Sequence, residues 1–249
     1  MPHPQNMASP TENQTPEFLN AQKLSSELLA VLRPQHEGLW TLGNPDLLSR
    51  TGISFCGSRK ASEKGIQTAR ECATEAARLG IGTISGNAAG VDVNVHKATL
   101  EHGGWSIFVL AEGIDNFRIK RAYADVWDWE RCLVVSQYKP DDRWQVWRAM
   151  ERNKLIIALG IAMIVVEAGE TGGTREAARQ TIEAKKPLFA ITYEDSVPGN
   201  DAILNDGAML LGRDRSTRRP NIRKVLNSTG NGPSEVGSAF GQAQQSLPL

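Results

Sequence analysis

Two glycine-rich loops contain the residue types that best suit a phosphate group. Gly57-Ser58-Arg59 follows one apolar segment, and Ser85-Gly86-Asn-Ala-Ala-Gly90 follows another, directly before a helical pattern. Gly86 and Gly90 allow positive φ angles and close backbone approach, and the guanidinium of Arg59 suits bidentate contact with phosphate. A helix start aims free N–H groups and a positive dipole end into such a turn. Together, the two loops predict an anion site.

Two further segments add candidate contacts. Gly169-Glu-Thr-Gly172-Gly173-Thr174 lies between an apolar run and a helical pattern, and Arg152-Asn153-Lys154 places cations and an amide within another helical pattern. Asp92 and His96, four residues apart, share a helix face. We include Asp92 among the phosphate-site candidates, although its charge limits how deeply a phosphate could enter.

Each of these candidates also has a simpler interpretation. Arg59, Arg152 and Lys154 could be solvated charges, and Gly172-Gly173 could be a plain turn with Thr174 as a helix cap. Asp92 is favoured in a first helical turn by the dipole alone. Trp144 and Trp147 are three residues apart, which indicates core or interface residues more than platforms for base stacking.

The elements that would position these loops alternate between strand and helix. Several runs, such as Ile161–Val166, are apolar on both faces, as parallel strands covered by helices must be. The alternation predicts an α/β fold with an open, doubly wound, mostly parallel sheet. Ligands bind at the carboxyl ends of such strands, so we expect both glycine loops at one edge of the sheet. The predicted strands are 39–42, 53–56, 82–85, 106–110, 133–135, 161–167, 188–192 and 209–211, and the predicted helices are 62–79, 91–102, 144–159 and 174–184.

Length and composition favour one domain with unordered ends. We predict a disordered tail over residues 1–16, a helical extension over 17–37 that begins at Thr15-Pro16-Glu17, and a domain over 38–212. Residues 213–249 are predicted to form a flexible tail, first basic and then rich in Gly, Ser and Gln. Six of the twelve residues from Arg213 to Lys224 are basic, so this tail could add contacts with a nucleic-acid backbone or could simply be solvated.

Charge and cysteine usage narrow the function classes. The chain has 28 basic and 28 acidic residues, so any anion site must be local and not a property of the whole surface. The three cysteines have no metal-ligand spacing and indicate a reducing, cytoplasmic setting. No apolar run approaches the length of a membrane span. We expect no metal ion, no cofactor and no membrane partner.

Several motifs follow one another in a distinctive order along residues 38–212. They are Trp40-Thr-Leu-Gly-Asn-Pro, Phe55-Cys-Gly-Ser-Arg-Lys-Ala-Ser, Ser85-Gly-Asn-Ala-Ala-Gly-Val-Asp-Val-Asn-Val-His, Val109-Leu-Ala-Glu-Gly-Ile-Asp, Arg152-Asn-Lys-Leu-Ile-Ile-Ala-Leu, Val165-Val-Glu-Ala, Lys186-Pro-Leu-Phe-Ala and Leu204-Asn-Asp-Gly-Ala. Their order and spacing resemble the DNA-processing protein A (DprA/Smf) family.

This resemblance implies an extended Rossmann-like fold and a function. The family binds single-stranded DNA, protects it during natural transformation and passes it to a RecA-type recombinase, commonly as a homodimer. It also implies that nine residues line a pocket for the DNA backbone: Gly57, Ser58, Arg59, Ser85, Gly86, Gly90, Arg152, Asn153 and Lys154. It does not imply catalysis.

The chain departs from the family pattern at three places. Ala149-Met150 replace the usual Phe-Pro before the Arg-Asn motif, and Lys154 replaces an arginine. The segment Gly172–Glu176 is closer to the loop of the related LOG phosphoribohydrolases. We also expect no winged helix of the kind found at the end of many family members. A second hypothesis is therefore a nucleotide pocket, either a phosphoribohydrolase with Glu176 as the catalytic carboxylate or a sensor of a nucleotide signal.

Overall fold

The computed structural model describes residues 14–32 and 36–229, and this part of the chain contains one nine-stranded sheet. The strands are β1 (Glu17–Asn20), β2 (Gly38–Gly43), β3 (Gly52–Cys56), β4 (Gly82–Ser85), β5 (Ser106–Val109), β6 (Cys132–Ser136), β7 (Met163–Val165), β8 (Leu188–Ala190) and β9 (Met209–Leu210). Their order in the sheet is β1-β2-β6-β5-β4-β3-β7-β8-β9. The β1–β2 and β2–β6 pairs are antiparallel, and all other neighbours are parallel. The predicted doubly wound, mostly parallel α/β fold is confirmed.

Helices cover both faces of the sheet. Within the described residues the α-helices are α1 (Ser26–Val31), α2 (Glu63–Arg78), α3 (Val91–Glu101), α4 (Val146–Leu159), α5 (Gly173–Glu183), α6 (Pro198–Asn205) and α7 (Ile222–Asn227). Residues of α2 and α3 belong to one buried apolar cluster, and residues of α4 and α5 belong to another.

Strand β7 lies within the apolar run Ile161–Val166, and its position in the sheet explains why that run is apolar throughout. Met163 and Val165 point into the cluster that contains α4 and α5, whereas Ile164 points into the cluster that contains α2 and α3. Side chains alternate between the two faces of a strand, so a strand covered on both faces needs apolar residues at every position. Each fully buried side chain of this size contributes about 1.5–3 kcal/mol to folding.

A crevice forms where the winding of the sheet reverses. From β3 the chain progresses through β4 and β5 to β6, then returns through α4 to β7 on the other side of β3. The helices that follow β3 and β7 therefore lie on opposite faces of the sheet. In doubly wound sheets the ligand site lies at this reversal, beyond the carboxyl ends of the strands.

The predicted helical extension over 17–37 is wrong at its start. Glu17–Asn20 forms β1, which pairs with Gly38–Thr41, and Phe18 packs on Trp40 with ring centroids 5.1 Å apart. Pairing with β2 overrides the local helix-start signal, because a strand draws its stability from a partner distant in sequence. The only α-helix in the described part of this segment is α1, capped by Ser25, whose side chain accepts a hydrogen bond from Leu28 N at 3.3 Å. Because β1 pairs with β2 on the side opposite β6, β2 is not at the edge of the sheet.

The predicted flexible tail over 213–249 is wrong for its first seventeen residues. Arg213 pairs with Pro220 in an isolated bridge, and α7 buries Ile222, Val225 and Leu226 against the sheet. Three apolar residues at helical spacing are enough to hold this segment on the domain. The rest of the predicted tail, 230–249, and nearly all of the predicted disordered tail, 1–13, lie outside the described residues.

Candidate functional site

A cavity of about 430 Å³ opens at the carboxyl end of β3, β4 and β7. It combines the loop after β3, the loop after β4, the loop after β7 and one side of α4. Of the residues that the sequence suggested for a site, nine line this cavity: Gly57, Ser58, Arg59, Gly86, Asp92, Arg152, Asn153, Gly173 and Thr174. Loops from distant parts of the sequence therefore meet at one place.

The loops after β3 and β4 pack directly on each other, as expected. Gly90 has a φ of +75°, and a Cβ atom there would lie 2.2 Å from the carbonyl oxygen of Ser58. A Cβ on Gly57 would lie 2.4 Å from Val91 Cγ2. Val91 N donates to Ser58 O at 3.2 Å, and Ser58 N donates to Glu167 O at 2.7 Å. Both glycines are thus required by close contact, and the contact fixes the start of α3 beside the cavity.

Arg152 supplies a buried positive charge beside the cavity. Its side chain is 7% exposed, and its Nη1 donates to Val109 O at 2.9 Å. Burial lowers the pKa of Arg152, while neighbouring Asp92 raises it; an arginine nonetheless stays protonated in a protein. Its Nε has no hydrogen-bond partner among the described residues. A buried positive charge attracts an anion strongly, because the protein around it screens the charge less than water does.

Gly86 makes room for that guanidinium. A Cβ atom on Gly86 would lie 1.9 Å from Arg152 Nη1 and 2.6 Å from Asp92 Oδ2. The absence of a side chain at position 86 therefore allows the arginine to reach Val109 and stay at the cavity wall.

Asp92 and Ser85 hold the loop after β4. Asp92 Oδ1 lies 2.9 Å from Ser85 Oγ, and Asp92 Oδ2 accepts from Ala88 N at 3.1 Å. Ser85 is fully buried and also lies 2.8 Å from Phe55 O. Asp92 lines the cavity, but both of its carboxylate oxygens are hydrogen-bonded within the loop. This is the structural role that the sequence left open as an alternative to phosphate contact.

His96 supports the same loop from beneath. The ring is fully buried, its Nε2 donates to Gly86 O at 2.7 Å, and it stacks on Phe108 at 3.7 Å. Burial lowers the pKa of His96 to about 4. The imidazole is therefore neutral at neutral pH and acts as a fixed donor to the Gly86 carbonyl.

Arg59 and Trp144 form the mouth of the cavity. Arg59 is exposed, and its Cζ lies 5.5 Å from the centroid of the Trp144 ring, a cation–π distance. Trp144 is 44% exposed. The sequence indicated a core or interface position for Trp144, as the first residue of the predicted helix 144–159. In the structure α4 begins at Val146, so Trp144 lies on the preceding loop at the cavity mouth.

A second cavity of about 290 Å³ shares this mouth. Arg59, Trp144 and Arg152 line both cavities, and the second adds Glu112 and Lys120. These two residues were not among the sequence candidates. Lys120 Nζ donates to Asn87 O, and Tyr123 OH donates to Asn87 Oδ1 at 2.8 Å. Burial lowers the pKa of Lys120, and Asp92 and Glu112 raise it. Three cations therefore surround one entrance.

Four of the sequence candidates lie outside the cavity wall. Ser85 and Gly90 support the loops from behind. Gly172 is exposed, has a φ of +100° and precedes the start of α5. Lys154 is exposed on α4 and does not line the cavity.

Glu176, the carboxylate of the hydrolase hypothesis, does not line the cavity either. Its two oxygens accept bonds from Arg179 at 2.6 and 2.9 Å, and Oε1 also accepts from Gln180 at 2.8 Å. The hydrogen bond from Arg179 lowers the pKa of Glu176 to about 2. A general acid or base needs a higher pKa and reach to its substrate, so this arrangement gives the hydrolase hypothesis no support.

The basic segment after β9 is partly neutralised by α2. Arg213 pairs with Glu71, and Arg219 lies 3.6 Å from Glu75. Lys224 Nζ donates to Leu210 O. The other three basic side chains of the segment, at Arg215, Arg218 and Arg223, are exposed.

In the described part of the chain, no helix is both long and apolar enough to cross a membrane.

Comparisons with known proteins agree on one family. The family model for DNA recombination-mediator protein A matches residues 19–218. A curated relative, DNA processing protein DprA of Streptococcus pneumoniae, is 31% identical over 178 residues, which are 70% of this chain and 62% of the relative. This chain thus spans less than two thirds of that relative's length.

Two solved structures have the same fold. The X-ray structure of DNA processing protein A from Streptococcus pneumoniae aligns with a TM-score of 0.68 and 25% identity, over 78% of this chain and 70% of that one. A structure described as giving insights into the single-stranded DNA binding mode of DNA processing protein A from Helicobacter pylori also has a TM-score of 0.68, with 22% identity, over 78% and 90%.

Proposed function

Because the chain belongs to the DNA recombination-mediator protein A family, we propose that it binds single-stranded DNA by its backbone phosphates at the carboxyl edge of the sheet. The observation that carries this proposal is the buried guanidinium of Arg152, held at the wall of a cavity large enough for a nucleotide. Arg59 and Lys120 add charge at the same entrance. The Helicobacter pylori protein with this fold is described as binding single-stranded DNA, which supports the same ligand class here.

The contacts are with phosphates and with the faces of bases. Phosphate contacts release counterions, so affinity falls steeply with salt for strands of any sequence. Trp144, exposed beside Arg59, offers a face on which a base can stack. Stacking of this kind contributes about 1–3 kcal/mol per base and tolerates every base.

On the same basis we propose a role in DNA uptake during natural transformation or in recombination, in which the bound strand passes to a RecA-type recombinase. We also propose a homodimer in the cytoplasm. Leu210, 44% exposed, supports dimerisation because it lies on β9, the strand at the end of the described sheet. An exposed apolar side chain at that position is surface that a second copy of the chain can cover. Sedimentation velocity at several protein concentrations measures the oligomeric state.

The binding proposal is tested with two matched alanine variants. Arg59→Ala removes a charge from the cavity mouth, and Lys154→Ala removes one from the same region outside the cavity wall. Loss of a charged hydrogen bond to phosphate weakens binding by about 1.5–3 kcal/mol, or roughly tenfold or more, so Arg59→Ala should show this loss. Lys154→Ala should stay within about twofold, as a solvated charge screened by salt does.

The measurement is fluorescence anisotropy of a labelled mixed-sequence oligonucleotide at two salt concentrations. The slope of log K against log salt should also fall by about 0.7 for Arg59→Ala, the value for one lost phosphate contact on a single strand. Equal affinities for the two variants, or no binding by the unmodified protein, would contradict the proposal.

A further inference from the structure

Glu112 is a carboxylate in a site whose other charges attract phosphate. It lines the second cavity together with the cations Arg59, Lys120 and Arg152. Its backbone carbonyl accepts from Ser136 Oγ at 2.6 Å, which fixes the residue in place. Burial raises the pKa of Glu112, whereas Lys120 and Arg152 lower it. A negative charge here opposes phosphate binding, so its presence at the site calls for another ligand group.

The side-chain oxygens of Glu112 are available to such a group. Among the described residues, neither oxygen takes part in a hydrogen bond or an ion pair. Two of the nearby donor atoms have other acceptors: Lys120 Nζ donates to Asn87 O, and Arg152 Nη1 donates to Val109 O. The cavity thus offers an unused acceptor.

The rest of the cavity suits a flat ring. Trp144 provides an aromatic wall, and Leu110 and Ala111 provide apolar surface. The volume of about 290 Å³ is close to the lower limit of small-ligand pockets, about 300 Å³. Because Arg59, Trp144 and Arg152 line both cavities, a phosphate in the first places an attached base within reach of the second.

We propose that the second cavity takes one nucleobase of the bound strand and that Glu112 accepts a hydrogen bond from its exocyclic amino group. This inference rests on the proposed binding of single-stranded DNA and adds a base preference to it. Cytosine presents an N4 amino donor, whereas thymine presents an O4 acceptor at the equivalent position. Opposite the Glu112 carboxylate, thymine leaves two acceptors facing each other, so the site favours cytosine.

Homopolymers of deoxycytidine and thymidine of equal length test this inference. Both carry the same number of phosphates, so the electrostatic contribution to affinity largely cancels in the ratio of their dissociation constants. The unmodified protein should bind the cytidine strand about fivefold more tightly, the lower end of what one base contact contributes. In Glu112→Gln the ratio should approach one, because an amide can accept from N4 and can also donate to O4.

Glu130→Gln is the matched control. It removes the same charge from an exposed position outside both cavities, and it should keep the fivefold ratio. If the unmodified protein binds both homopolymers equally, or if Glu112→Gln keeps the preference, the inference is wrong while the proposed function stands. If neither homopolymer binds, the proposed function fails and the inference fails with it.

Discussion

Substitution of Gly86 by alanine is the most direct test of how the structure holds Arg152. The new Cβ would lie 1.9 Å from Arg152 Nη1 and 2.7 Å from Arg152 Cζ. Contacts this short cannot persist, so the guanidinium must move and its bond to Val109 O must break or lengthen. Overpacking costs about 1–3 kcal/mol, and loss of a hydrogen bond by a charged group costs about 1.5–3 kcal/mol.

We therefore expect Gly86→Ala to lower the free energy of unfolding by about 2–4 kcal/mol, since the two costs overlap in part. Affinity for single-stranded DNA should fall at least tenfold, because the displaced charge no longer lies at the cavity wall. Urea unfolding measures the first effect, and fluorescence anisotropy measures the second.

Gly169→Ala is the control at the same cavity. A Cβ there would have its nearest contact, with Thr171 O, at 3.5 Å, an ordinary van der Waals distance. This variant should unfold and bind DNA like the unmodified protein. A double-mutant cycle with Arg152→Met isolates the cause, because Gly86→Ala should cost much less once the guanidinium is gone. If Gly86→Ala equals Gly169→Ala in both assays, our account of Arg152 is refuted.

Three further predictions concern acid stability, the basic segment and hydrolysis. The pKa of His96 in the folded protein, about 4, lies below its ordinary value of 6.5. The stability that neutral His96 contributes to the fold is therefore complete above pH 6.5 and decreases by about 3 kcal/mol as the pH falls towards 4. The midpoints of urea unfolding at pH 7 and pH 5 should differ less in His96→Asn than in the unmodified protein. An equal difference in the two proteins would contradict this role of His96. Replacing Arg215, Arg218 and Arg223 together by glutamine should flatten the salt dependence of DNA binding, by up to about 2 in slope if all three contact phosphates; an identical slope means that they are only solvated. Incubation with nucleoside monophosphates should release no free base, and turnover that disappears in Glu176→Gln would instead establish the hydrolase.

The sequence predicted the parallel part of the sheet well because those strands are buried on both faces. A run such as Ile161–Val166 can hardly be placed elsewhere in a folded protein. The two ends of the domain were harder for a physical reason. Strand β1 contains only Glu17–Asn20 and depends on β2 for its pairing, while the apolar face of α7 is hidden among arginines.

At the site, the glycine loops were recognised from their residue types. The sequence did not show in which direction each side chain of α4 points. Arg152 and Lys154 are two positions apart, so they point about 200° apart around α4. Arg152 is buried at the cavity, whereas Lys154 is exposed outside it. Glu112 and Lys120 were missed because they lie on a long connection without periodicity between β5 and β6, which only the fold brings to Arg59.

The residues behind the cavity explain how a protein with no net charge can hold a localised positive site. Asp92 lies beside Arg152, and its charge raises the pKa of that arginine. Its two oxygens are engaged by Ser85 and Ala88, so they are not free to turn towards an incoming anion. Neutral His96 fixes the Gly86 carbonyl without adding charge. The carboxylate thus stabilises the buried cation and the loop together, which leaves the outer side of Arg152, with Arg59 and Lys120, to attract phosphate.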